Sequence, residues 1–191
     1  MNSANALTMA RGLASLAVFT LLWLSRPPQV HVGLMNAAVV VFIAASVTDY
    51  LDGVLARRLK QETTFGRIAD PFVDKLLVCG TFIFLMPFPQ AHVSPWVVAV
   101  IVLREFLVSG LRSYVESRGL AFGAMRWGKI KALAQYVALS WLIFFAAHRP
   151  WADAGETFTV VLVWCVAGYT ALSGVAYLVR AARMLGGSSV A

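Results

Sequence analysis

Four aspartates, Asp49, Asp52, Asp70 and Asp74, stand in one stretch, "VTDYLDGVLARRLKQETTFGRIADPFVDKLL", of a 191-residue chain with only nine acidic residues. Asp49, Asp52, Gly53 and Ala56 are spaced i, i+3, i+4, i+7, which on a helix is one face. Asp49 and Asp52 therefore point together. Asp70 precedes Pro71, a pair that predicts a helix N-cap with proline at the first helical position. Asp74 lies one turn further on, on the face of Asp70. Two helix ends thus offer two carboxylates each, and a short loop that brings the ends together makes all four converge. Four close anions do not all stay ionised unless cations join them. Oxygen-only ligands favour hard ions such as magnesium, calcium or manganese, and four carboxylates match two divalent cations in charge. Two metals about 3.5–4 Å apart are a device for displacement at phosphorus. The small residues Gly53, Ala56 and Gly66 leave room for a bulky ligand near the backbone, and Arg57 can pair with phosphate. Taken singly, each aspartate has a bland alternative: a cap at Asp70, or salt bridges from Asp49 and Asp52 to Arg57 and Arg58. Together, inside or beside apolar runs, they point to function, because ionisable groups in membranes are rare and mostly functional.

The elements that must position them are written in the composition. The chain is 60% hydrophobic and 13% charged, with a mean hydropathy of +0.75. A soluble domain is about 45–50% apolar and about 25% charged. Six segments approach the ~20 apolar residues that a membrane helix needs, at 6–24, 34–57, 71–88, 94–114, 127–147 and 157–179. Short breaks with turn chemistry separate them: "SRPPQVHVG", "MPFPQAHVSP", "ESRGLAFG" and "HRPWADAGE". The expected fold is all-α: a polytopic membrane protein, a bundle of six transmembrane helices in a single domain over 1–191, with a polar cavity open to the cytoplasmic side. Cys79 and Cys165 fall inside apolar runs, so both are expected to be buried, inert thiols. Their spacing suggests neither zinc nor a disulfide framework. Arg11 interrupts the first apolar run, and "SRPP" is no small-residue cleavage site, so no cleavable signal is expected.

Charge placement gives the topology. Arg57, Arg58, Lys60 and Arg67 follow the second segment. Arg112, Arg118, Arg126, Lys129 and Lys131 surround the break between the fourth and fifth, and Arg180 and Arg183 follow the sixth. The other side holds only Arg26 and Arg149. The positive-inside rule puts the basic set, both termini and the four aspartates at the cytoplasmic face. His31, His92 and His148 all fall on the far side. Trp96, Trp127 and Trp151 lie near segment ends, as interfacial anchors do. The net charge of +7 has no basic run with interleaved aromatics, so nucleic acid is not an expected partner.

The pattern Asp49-x2-Asp52-Gly53-x2-Ala56-Arg57-x8-Gly66-x3-Asp70-x3-Asp74 resembles the complete signature of the CDP-alcohol phosphatidyltransferases. All eight positions are present, and the family's six-helix membrane bundle agrees with the segment count. The resemblance implies that Asp49, Asp52 and Asp70 hold one divalent cation and that Asp49, Asp70 and Asp74 help to hold a second, Mg2+ or Mn2+. It implies that Asp74 is also the general base for the acceptor hydroxyl. The far-side position of every histidine agrees with a carboxylate base. Gly53, Ala56, Arg57 and Gly66 would line the CDP site. The polar stripe Asn5, Thr8 and Arg11 in the first segment would lie near the nucleotide, with interhelical hydrogen bonding as the alternative.

Three further pieces, "NALTMARG", "LREFLVSGLRSY" and "WGKIKALAQ", resemble the bacterial phosphatidylglycerophosphate synthase branch. That likeness implies transfer of a phosphatidyl group from CDP-diacylglycerol to sn-glycerol 3-phosphate in the bacterial inner membrane, by a homodimer. Arg104 sits well inside an apolar run, where an unpaired cation is expensive, and Glu105, Ser109 and Arg112 share a face. Arg104, Arg112, Lys129 and Lys131 are the candidates for the acceptor phosphate. The alternatives are a structural Arg104–Glu105 pair and lysines that only mark the cytoplasmic side. Other acceptors remain open, inositol phosphate or phosphatidylglycerol, as does a cation or proton transporter that uses the carboxylates.

Overall fold

The computed structural model describes the backbone of residues 3–59, 64–120, 126–149 and 151–187; the side chains at 3–7, 49–59, 64–71, 74, 126–127, 129, 152 and 186–187 lie outside the description. The described residues are all-helical: α1 (Ser3–Leu24), α2 (Val32–Leu59), α3 (Thr64–Leu85), α4 (Pro95–Ser117), α5 (Arg126–His148) and α6 (Ala152–Gly187), with a short 3-10 turn at Pro89–Ala91. Each apolar segment has become one helix, in order. Several helices overrun the apolar segments, α6 most of all with 36 residues, because backbone hydrogen bonding does not stop where hydropathy falls, whereas α3 ends at Leu85, short of its segment's end.

Local chemistry sets several of the ends. Ser94 is extended at φ −83° and ψ 157°, its Oγ accepts from the Val97 N–H, and Pro95 follows at the first helical position. The other end of α4 closes at Gly119, whose φ of +74° is left-handed. There the Gly119 N–H donates to the Glu116 carbonyl and the Leu120 N–H to that of Val115. The N-cap expected at Asp70 is corrected by the structure. Helix α3 starts six residues earlier, at Thr64, and runs through Asp70 and Pro71. An interior proline removes one backbone bond at about 3 kcal/mol, which packing of α3 along α1 offsets.

Helix α1 packs between α2 and α3, α5 touches α2, α3 and α6, and α4 lies on α6 and α3. Phe42, Phe82, Leu22, Met35, Leu139 and Ile143 are among the fully buried core side chains. The distribution of polarity is inverted relative to a water-soluble bundle. Leu13, Val40, Leu103, Leu133, Trp164 and Leu172 are exposed, whereas Arg104, Glu105, Lys131, Gln135, Thr170 and Ser173 are buried. So large an apolar exterior marks a surface that does not face water. Two described stretches, Ile130–His148 and Asp153–Leu185, are long and apolar enough to cross a membrane; those of α1, α2 and α3 are shorter. Hydroxyls in this setting bond back to their own helix: Ser15 to the Arg11 carbonyl, Ser46 to Phe42, Thr81 to Leu77 and Thr159 to Gly155.

The end carrying the histidines is tied across helices. His148 Nε2 lies 2.7 Å from Asn36 Oδ1, joining α5 to α2. Glu156 faces both His92 at 3.3 Å and Arg149 at 3.4 Å. The Trp141 indole donates to Thr159 Oγ1 at 2.9 Å and stacks on Phe145 and Trp151. Trp96 and Trp151 are exposed at helix ends, as expected of anchors; the Trp127 side chain lies outside the described residues. Cys79 is buried, but Cys165 is exposed on the outward face of α6, which corrects the expectation of two buried thiols. An apolar run surrounded by lipid has an outer side as well as an inner one, and hydropathy alone does not tell them apart.

Close packing of α1 on α3 depends on Gly80. A Cβ there would stand 2.1 Å from Cζ of Phe19, which is buried and stacks on Phe84 at 4.9 Å. Gly80→Val is expected to destabilise by about 1–3 kcal/mol, read as a lower melting temperature in detergent. Adding Phe19→Ala should recover part of the loss; a melting temperature unchanged by the single substitution would show that the two helices do not meet there.

Candidate active site

The backbone positions of the four aspartates fall on two consecutive helices. Asp49 and Asp52 are on the C-terminal part of α2, and Asp70 and Asp74 on the N-terminal part of α3. Residues 60–63 join these helices, so the aspartate-bearing parts flank one connection. Spacings of three and four residues keep each pair on one helix face. The side chains of Asp49, Asp52, Asp70 and Asp74 lie outside the described residues, as do those of Asn5, Gly53, Ala56, Arg57, Gly66 and Lys129. The donor set, four carboxylates and no nitrogen or sulfur, is one that hard divalent cations take.

Two members of the α1 stripe are described. Thr8 and Arg11 are both buried, on the N-terminal half of the helix that packs between α2 and α3. A buried arginine so placed faces the interior of the bundle rather than lipid.

The acceptor-side residues are described in more detail. Arg104, Glu105 and Lys131 meet between α4, α5 and α6. The Arg104 guanidinium donates from Nη1 to both Glu105 carboxylate oxygens at 3.3 Å and from Nε to Ser173 Oγ at 3.1 Å. Lys131 Nζ donates to Glu105 Oε1 from α5. Side-chain exposures are 8% for Arg104, 11% for Glu105 and 7% for Lys131, so the group is shut away from bulk solvent. Among the described residues, two cations share one carboxylate. The structure therefore shows the Arg104–Glu105 pair weighed from sequence, and adds Lys131 to it.

Arg112 lies seven residues beyond Glu105 on α4, about 10 Å along the helix, toward the end where α5 begins. It is half-buried, and its Nε is buried without a hydrogen-bond partner among the described residues. Ser109, between the two, is also half-buried. Among the described residues, Arg112 Nε and the second cation on Glu105 are the groups here that an anion would suit.

Sequence reasoning missed the contribution of α6. Thr170, Ser173 and Tyr177 are all buried. Thr170 Oγ1 accepts from Gln135 Nε2 at 3.3 Å, Ser173 accepts from Arg104, and the Tyr177 ring centroid lies 5.5 Å from the guanidinium carbon of Arg104. The available signal was the i, i+3, i+7 spacing of Thr170, Ser173 and Tyr177 within an otherwise apolar run. Glycines let the helices come this close: a Cβ on Gly174 would stand 3.1 Å from Arg104 Cγ, and one on Gly128 2.9 Å from the Tyr177 hydroxyl.

Removing Glu105 leaves two buried cations facing each other. Breaking a buried pair by deleting one partner costs about 3–5 kcal/mol, so Glu105→Gln should lower the melting temperature in detergent markedly. Equal stability of Glu105→Gln and the parent would show that the carboxylate is not what holds α4 to α5.

Comparison with known proteins places residues 1–183 within the CDP-alcohol phosphatidyltransferase profile. The chain is 39% identical over 141 residues to the CDP-diacylglycerol–glycerol-3-phosphate 3-phosphatidyltransferase of Bacillus subtilis (strain 168), covering 74% of this chain and 71% of that protein. It is 40% identical over 113 residues to the Escherichia coli (strain K12) protein of the same name, covering 56% of this chain and 60% of that one. The like-named protein of Mycoplasma pneumoniae is 39% identical over 100 residues, 52% of this chain and 43% of its own length.

Proposed function

The chain belongs to the CDP-alcohol phosphatidyltransferase family, and we propose that it transfers the phosphatidyl group of CDP-diacylglycerol to sn-glycerol 3-phosphate, giving phosphatidylglycerophosphate and CMP. The observation that carries this reading is the complete eight-position signature from Asp49 to Asp74 in a chain whose relatives bear the name of that activity. The acceptor is supported by the basic face of α4 and α5. A transporter that used the same carboxylates would leave Gly53, Ala56, Arg57 and Gly66 without a role.

In this mechanism the acceptor hydroxyl attacks the β-phosphorus, which bears the diacylglycerol. The new P–O bond forms as the bond to CMP breaks, and the proton of the hydroxyl passes to the Asp74 carboxylate. Asp49, Asp52, Asp70 and Asp74 would hold two divalent cations, Mg2+ or Mn2+, which would neutralise the diphosphate and the negative charge on its oxygens. Gly53, Ala56 and Gly66 leave the CDP moiety room against the backbone, and Arg57 pairs with its phosphate. Asn5 and Thr8 contribute polar groups from α1 near the nucleotide. Arg112, Lys129 and Lys131 make up the positive wall for the acceptor phosphate, with arginine suited to two-point contact, and Arg104 stands behind them, bonded to Glu105 and Ser173.

The six helices are read as six spans of the bacterial cytoplasmic membrane. A polar cavity opens to the cytoplasm at the aspartate end, because the basic residues cluster there. The acyl chains of the substrate stay in the bilayer against the apolar exterior while the head group reacts inside. The working unit is read as a homodimer.

Purified protein is expected to release CMP from CDP-diacylglycerol with glycerol 3-phosphate and Mg2+ or Mn2+, and to stop when the metal is chelated. Release with inositol phosphate or phosphatidylglycerol, and not with glycerol 3-phosphate, would overturn the acceptor. Asp74→Asn should reduce kcat about a hundredfold or more while CDP-diacylglycerol binding persists; undiminished turnover would remove Asp74 as the base. Arg112→Ala should raise the KM for glycerol 3-phosphate about tenfold, the loss of one charge-assisted contact. An unaltered KM would move the phosphate elsewhere.

A further inference from the structure

Lys131 is a poor candidate for an anion site if it is left to itself. Its ammonium sits on a flexible four-carbon stem that carries about 2 kcal/mol of rotamer entropy. In this structure the stem is already fixed, because Nζ donates to Glu105 Oε1. Glu105 is fixed in turn by two bonds from Arg104 Nη1, and Arg104 by the hydrogen bond from its Nε to Ser173 Oγ. The chain of contacts ends in α6 backbone, where the Ser173 hydroxyl donates to the Thr170 carbonyl at 2.8 Å. It runs from α6 through α4 to α5, and every member is buried.

We infer that Ser173 and Glu105 are positioning residues that hold Lys131 ready for the acceptor phosphate, and that Arg104 acts through Glu105. Two features set this arrangement apart from a lock between helices. A lock is best served by a neutral pair, and Arg104 with Glu105 already makes one within α4. Among the described residues the added Lys131 is a second cation on one carboxylate, an arrangement that an arriving anion would relieve. Among the described residues Lys131 also keeps two of its three N–H donors uncommitted, and the half-buried Arg112 shares a face of α4 with Glu105. Ordering the cation before the substrate arrives moves the entropic cost out of the binding step. Gly174 belongs to the same device, since a Cβ there would press on Arg104 Cγ at 3.1 Å.

The inference rests on the reading of glycerol 3-phosphate as acceptor, and Ser173 is the residue that tests it, because its removal leaves the ion pairs and the fold in place. Ser173→Ala is expected to raise the KM and the calorimetric Kd for glycerol 3-phosphate about tenfold, the value of one lost hydrogen bond to a charged group. The KM for CDP-diacylglycerol should move far less, and Ser173→Thr, which restores the hydroxyl, should recover most of the affinity. On a Lys131→Met background Ser173→Ala should add little, since both act through one ammonium. Fully additive effects, or equal weakening toward both substrates in step with a fall in melting temperature, would make Ser173 purely structural. A parent protein that turns over glycerol 3-phosphate while Ser173→Ala binds it normally would sink the positioning role alone. A parent that neither binds nor turns over glycerol 3-phosphate would sink the acceptor reading and this inference together. The calorimetric arm needs no turnover, so binding without CMP release would count against the proposed reaction and leave the positioning role to be judged on Kd.

Discussion

The constraint on which the rest of this structure depends is that polar groups have nowhere to go but inward. A bundle whose outer face is Leu13, Val40, Leu103, Leu133 and Leu172 cannot hydrate a stray charge or hydroxyl at its surface. Each must find a partner within its own helix or on a neighbour. Two solutions coexist. Serines and threonines such as Ser46 and Thr81 turn back onto the carbonyl one turn earlier. The long charged groups cannot do so, and Arg104, Glu105 and Lys131 gather where three helices meet. What looks like a scatter of polar residues through apolar helices is therefore sorted by reach.

This sorting separates the two halves of the candidate site. The aspartate half is a matter of sequence spacing on α2 and α3, and the identity of its residues alone says what would bind there. The basic half is assembled from α4, α5 and α6 and has meaning only in three dimensions. Arg104 is a neighbour of Glu105 in sequence, but the oxygen on its Nε comes from Ser173, and Lys131 is brought in from α5. In the proposed reaction, substrate chemistry would divide along the same line, with the acceptor on the side built from tertiary contacts.

Much of the fold was legible before the structure. Six apolar runs gave six helices in order, and the Ser94–Pro95 start of α4 is the kind of signal that sequence carries openly. Where the reading failed, tertiary packing had overruled a local rule. The Asp70–Pro71 pair looked like a helix start, yet α3 begins at Thr64 and carries the proline inside. Cys165 was expected inside because its neighbours are apolar, but in a chain of this kind apolar neighbours are as common on the outer face. In the site, the spacing of the aspartates was readable because it is local. Ser173 and Tyr177 were not singled out, because nothing in α6 by itself says that a guanidinium from α4 lies across them.

The hydroxyl bonds within single helices also bear on how such a protein is put together. A helix whose Ser and Thr are already satisfied, as at Ser15, Ser46 and Thr159, can enter a lipid phase before it has met any neighbour. Helix α4 has Arg104 and Glu105 side by side, so it carries its countercharge with it. Lys131 is the member of the knot that brings no countercharge of its own, and it comes from the next helix to emerge from the ribosome. Chain order thus matches electrostatic need: Glu105, the carboxylate that receives Lys131, precedes it in the chain and stands on the helix before it.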